Sequence, residues 1–174
     1  MTKRNYRRLQ GLLLFMTLGI VGAAFYLQFS VGLHPCPLCL MQRLCAFLVG
    51  MGCLMGICLT TRYRGRAVAV FQVVCAALGL FFAVRQLWLQ SLPIQGAATC
   101  LPGWDLMLRY VPWQVVMHAF FWGAGECAEV TWRLWGFSMP AWAAIYFFMV
   151  GIISVWIFFQ LGTSPKEQKG DEVR

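Results

Sequence analysis

The sequence predicts an all-α membrane protein built as a four-transmembrane-helix bundle. Three observations predict it. The chain is 60% hydrophobic and only 11% charged over 174 residues, with a mean hydropathy of +0.69, which leaves too little polar surface for a soluble globule of this size. Four apolar runs each come near the ~20 residues that a helix needs to cross the hydrocarbon core. Lysine and arginine, finally, collect between and outside those runs, with Arg85 the exception inside the third.

The runs are taken in chain order. The first, 12–29, follows Lys3, Arg4, Arg7 and Arg8 and resembles a secretory leader, but its apolar stretch is long and no small-x-small cleavage site follows before His34, so it reads as an uncleaved anchor. The second covers 44–61, the third 67–89 and the fourth 141–161. A net charge of +8 would point to nucleic acid in a soluble protein. Here position matters more than the sum. Ten of the 14 Lys and Arg lie in the N-terminal arm, in the linker 62–66 with its flank (Arg62, Arg64, Arg66), and in the tail (Lys166, Lys169, Arg174). Four spans put all three groups on one side, which the positive-inside rule makes the cytoplasm, with both termini there. Loops 30–43 and 90–140 then face the other way, and the polar tail 162–174 is expected to be disordered.

That orientation sorts the eight cysteines. Cys36, Cys39, Cys100 and Cys127 fall in the outer loops, where disulfides persist. Cys45, Cys53, Cys58 and Cys75 fall within spans among apolar neighbours and read as small packing residues. In PCPLCLMQR, Pro35 restrains the incoming chain and Pro37 suits the first turn of the second helix. A helix N-terminus favours a thiolate. Arg43 follows Cys39 by four residues and Cys36 by seven, so on a helix it shares their face about one turn deeper. Two readings stay open: an arginine snorkelling to the interface, or a cation that holds the electronegative oxygen of an electron acceptor beside a thiolate. In PWQVVMHAFFW, from Pro112, Gln114 and His118 form a polar stripe against Trp113, Val116, Phe120 and Phe121. This segment suits either a short interfacial helix in the headgroup zone or an ordinary cap on the bundle. Six tryptophans from Trp104 to Trp142 fit interfacial anchoring.

Taken with WLQSLPIQGAATC after the third span and GECAEVTWRLWGFSMPAW before the fourth, PCPLCLMQR makes the chain resemble the disulfide bond formation protein B (DsbB) family of bacterial inner membranes over nearly its whole length. The resemblance implies a multi-pass inner-membrane protein-disulfide:quinone oxidoreductase. Such an enzyme reoxidises a periplasmic thiol oxidant of the thioredoxin fold, DsbA-like, and passes two electrons to ubiquinone or menaquinone in the membrane quinone pool. Position by position it implies Cys36 and Cys39 as the quinone-proximal pair, Cys100 and Cys127 as the partner-facing pair, and Arg43 as a quinone contact. Where the family often has an acidic residue before that arginine, this chain has Gln42. Arg85 and Gln86, near the outer end of the third span, either face the quinone headgroup, which is the role assigned to Gln86, or merely end a helix at the interface.

Two rival classes follow from the same residues. One is a quinone reductase of the vitamin K epoxide reductase type, also a four-helix bundle with Cys-x-x-C, against which GECAEVTWRLWGFSMPAW argues. The other is a non-enzymatic membrane protein whose outer cysteines, with His34, bind zinc. An oxidising compartment favours disulfides over that metal site.

Overall fold

The computed structural model describes residues 3–31, 36–58, 62–91, 114, 121, 133–134 and 136–162. Most of them lie in four helices: α1 (Lys3–Val31), α2 (Pro37–Cys58), α3 (Arg62–Ser91) and α4 (Met139–Gly162). All four are long and apolar enough to cross a membrane. At 1.5 Å per residue, the 22 residues of α2 and the 30 of α3 reach about 33 and 45 Å, against about 30 Å of hydrocarbon. The helices therefore outrun the apolar stretches. Backbone groups near a bilayer stay paired until water or a cap can take them, so α2 starts at Pro37, well before Leu44. The basic stretch 62–66, expected as a loop, is the first turn of α3, since Arg is a good helix former. The interfacial helix expected in loop 90–140 and the polar tail lie outside the described residues. From that loop, Phe121 is described, its ring 6.2 Å from that of Phe82 on α3.

An element absent from the all-helical expectation precedes α4. Strands β1 (Arg133–Leu134) and β2 (Phe137–Ser138) pair antiparallel in the register Arg133↔Ser138 and Leu134↔Phe137. The chain reverses at Gly136, whose φ of 82° lies in the region open to glycine. The Phe137 ring then meets Trp142 edge-on at 6.0 Å, which fixes the hairpin to the start of α4.

In the bundle, α3 packs on both α2 and α4, while α1 packs on α2. Leu13, Leu38, Val49, Phe82, Phe147 and Val150 form the buried centre. Gly79 decides how close α3 and α4 come: a Cβ there would stand 2.4 Å from Phe147 Cε1, so the ring lies directly on the α3 backbone. Polar groups tie the remaining helices. Thr17 of α1 and Tyr146 of α4 share a 2.7 Å hydroxyl–hydroxyl bond. Gln10 of α1 and Gln72 of α3 exchange amide bonds of 3.3 and 2.9 Å. Large apolar side chains such as Phe15, Phe29, Met51, Phe81 and Phe159 cover the outside, as expected of a surface that meets lipid.

The bundle has two chemically distinct ends. At one, Arg4, Arg7 and Arg8 at the start of α1 and Arg64 and Arg66 at the start of α3 are exposed. The end of α4 joins them: a Cβ on Gly65 would stand 3.1 Å from Leu161 and 3.7 Å from the Tyr6 hydroxyl. The Arg66 guanidinium also lies 4.6 Å over the Phe158 ring. The opposite end, where α2 begins and α3 finishes, holds Cys36, Cys39 and Gln86.

Candidate functional site

Local sequence explains how Cys36 is presented. Its carbonyl accepts from Leu40 N at 3.2 Å, the first bond of the helical ladder, which makes Cys36 the residue that caps α2. Pro37 then takes the first helical position, where its missing N–H leaves nothing unsatisfied. The Cys36 sulfur accepts from Cys39 N at 3.4 Å, as a serine hydroxyl does in an ordinary cap. The positive end of the helix thus faces a sulfur. One turn along, Cys39 Sγ stands 2.8 Å from Cys36 Sγ. Both residues are thiols, Cys36 buried and Cys39 half-buried. The Cys-x-x-Cys spacing at a helix start is what brings the two sulfurs within bonding reach.

The face of α3 opposite them carries Gln86. Its Nε2 donates to Cys36 Sγ at 3.4 Å and to Cys39 Sγ at 3.2 Å, and Cys39 Sγ is 3.5 Å from its Oε1. Gln42 of α2 donates to that same Oε1 at 2.8 Å. Gln42 and Gln86 are 7% and 4% exposed, so water does not compete for these bonds.

Arg43 turns the other way, towards α1. It donates to Gln28 Oε1 and, at 3.0 Å, to the Ala24 carbonyl, and its guanidinium lies 5.0 Å over the Phe25 ring. Phe47 stands 6.3 Å from Phe25 on the same side. The structure thus brings Cys36, Cys39 and Gln86 into direct contact and sets Arg43, on the same helix, in an aromatic corner against α1. Arg85 is stacked 4.4 Å over Trp88. Cys100 and Cys127 lie outside the described residues, as does His34.

Sequence reasoning gave Gln42 no role and did not consider Gln28. Gln42 had a usable signal, since it follows Cys39 by three residues and so shares its helix face; Gln28 had none. Of the four cysteines read as packing residues, Cys45, Cys53 and Cys75 are buried, while Cys58 is exposed. Cys53 does have a polar neighbour, since Gln72 Nε2 donates to its sulfur at 3.2 Å.

Comparison with known proteins bears directly on this arrangement. The sequence model of the family described as disulfide bond formation protein DsbB matches residues 6–157. The Disulfide bond formation protein B of Marinobacter nauticus is 36% identical over 151 residues, 86% of this chain and 90% of that protein. Its counterpart in Hahella chejuensis is 40% identical over 141 residues, 80% of this chain and 84% of that one. Disulfide bond formation protein B 1 of Pseudomonas aeruginosa is 40% identical over 129 residues, covering 74% and 79%. With four helices able to cross a membrane, a cysteine pair capping the second of them, and a match that runs almost end to end, this chain belongs to the DsbB family of multi-pass membrane proteins of disulfide bond formation.

Proposed function

We propose that this protein is a bacterial inner-membrane oxidase that reoxidises a soluble periplasmic thiol oxidant of the thioredoxin fold and delivers the electrons to a membrane quinone. The observation that carries the reading is the Cys36–Cys39 pair, 2.8 Å apart at the capped start of α2, on the end of the bundle opposite the exposed arginines of α1 and α3. If those arginines mark the cytoplasm, the pair faces the periplasm at membrane depth, where a lipid-soluble acceptor can meet it.

In this reading Cys100 and Cys127 form the partner-facing pair. A thiolate of the reduced partner attacks the Cys100 sulfur, displaces Cys127 as thiolate, and leaves a mixed disulfide. The partner's second thiol resolves it, so the partner loses two electrons and two protons and the loop pair becomes a dithiol. Exchange with the Cys36–Cys39 disulfide then restores Cys100–Cys127 and reduces the inner pair. A bound quinone supplies the chemistry of a two-electron, two-proton acceptor. The residues present fit such a group: Arg43 offers a cation for an electronegative oxygen, and Phe25 and Phe47 beside it offer ring faces to a planar headgroup. Gln86, expected at the headgroup, has its amide on the sulfurs, on the α3 side of the pair and not in the corner that holds Arg43, so in this reading it meets the acceptor where the acceptor meets the cysteines.

Membrane vesicles of both orientations test the whole reading at once. A reduced thioredoxin-fold oxidant should be oxidised by right-side-out vesicles supplied with quinone, and not by inside-out ones. Cys36→Ser or Cys39→Ser should abolish the activity. Equal activity from both orientations, or activity surviving either substitution, would remove the reading.

A further inference from the structure

Gln86 has every polar atom engaged. The hydrogens on Nε2 face Cys36 Sγ at 3.4 Å and Cys39 Sγ at 3.2 Å. Oε1 offers two lone pairs; one receives Gln42 Nε2 at 2.8 Å and the other faces Cys39 Sγ at 3.5 Å. With Gln42 donating as it does, a half-turn of the Gln86 amide would set its own NH2 group against that of Gln42, donor against donor, and would leave the sulfurs facing only an acceptor. In a site this buried, unmatched donors are strongly disfavoured.

We infer that Gln42 is a positioning residue that fixes the orientation of the Gln86 amide across the Cys36–Cys39 pair, so that one uncharged group accepts from a thiol and donates to a thiolate without turning. Neither amide ionises, so the arrangement persists at any pH the protein meets. A carboxylate at position 42 would act in the opposite sense: it cannot donate to Oε1, it would draw Gln86 Nε2 towards itself, and its charge would repel a thiolate. The redox consequence has a definite sign. Two donor N–H groups stabilise sulfur that carries negative charge, whereas disulfide sulfur is a weak acceptor. The Gln42–Gln86 bridge therefore favours the dithiol form and makes the pair a stronger oxidant.

The inference rests on the proposed redox role of the pair, and the test separates the two. The full chain in detergent, with Cys100 and Cys127 replaced by serine, is equilibrated with glutathione redox buffers, quenched in acid and alkylated. Reduction of the Cys36–Cys39 disulfide consumes two glutathione thiols, releases one glutathione disulfide, and leaves two protein thiols to be counted. Gln86→Leu should move the equilibrium constant about tenfold towards the disulfide, about 30 mV for this two-electron couple. Gln42→Met should move it the same way by about threefold or more, and should add nothing once Gln86 is leucine, because it acts through that residue. Gln42→Glu, which keeps the size but loses the donor, should move it at least as far as Gln42→Met and serves if the methionine variant fails to fold. A constant unmoved by either substitution at Gln42, or a Gln42 effect that persists in full on Gln86→Leu, would overturn the inference while leaving the redox role intact. A reduced pair that quinone fails to oxidise in the same preparation would overturn the redox role, and the inference with it.

Discussion

Arg43 and Gln42 are adjacent in sequence and about 100° apart around α2, and this separation divides the labour at the cysteine end of the bundle. Gln42 reaches α3 and the sulfurs through Gln86, while Arg43 reaches α1, where Gln28, the Ala24 carbonyl and the Phe25 ring hold it. In the proposed role Arg43 binds the acceptor and does not hold the partner. Arg43→Ala should therefore raise the apparent KM for quinone about tenfold, the size of one lost charge-assisted hydrogen bond, and change the KM for the reduced partner less than about twofold. Steady-state kinetics with each substrate varied in turn checks this. Gln28→Leu is the control, since it loses an Arg43 partner but keeps the cation, and it should leave the quinone KM nearly unchanged. Equal effects of Arg43→Ala on both substrates would remove the assignment. The cysteine pair, Arg43 and Gln86 were all legible in the sequence as polar or reactive groups out of place near apolar spans. What each one touches was not legible, because spacing along one helix does not say which neighbouring helix a side chain will meet.

At the scale of helices, the four spans were legible because length and hydropathy alone bound a membrane crossing. Their rotation was not. Lipid tails are as apolar as a protein core, so a span shows no polar face that must turn outward, and α4 is apolar nearly all round. Packing here depends on shape and on a few polar pairs. Gly79 against Phe147 is the tightest such fit. Gly79→Ala should lower stability by about 1–3 kcal/mol, the usual cost of overpacking, read as a lower midpoint of thermal unfolding in detergent. Phe147→Leu in the same chain should recover part of that loss, and an unchanged midpoint in the single variant would contradict the contact. The Gln10–Gln72 pair, with Cys53 beside it, fixes how α1, α2 and α3 sit along one another, and neither glutamine stood out in sequence. Nor did the small hairpin before α4, since its strands are two residues each and Gly136 was the only turn signal.

Across the whole molecule, the helices place exposed arginines at one end and the cysteine pair at the other, about 30 Å away along α2. That polarity is legible in where Lys and Arg fall in the sequence, and in the proposed role it lets one small bundle serve a water-soluble donor and a lipid-soluble acceptor. In the proposed role the inner pair is oxidised by quinone without help from the loop cysteines. The most direct measurement uses purified chain in detergent with Cys100 and Cys127 replaced by serine, reduced, freed of reductant under anaerobic conditions, and titrated with quinone while thiols and quinol are counted. Two thiols per chain should disappear for each quinol formed, and Cys36→Ser should abolish the change. A thiol count that stays constant through excess quinone would contradict that role.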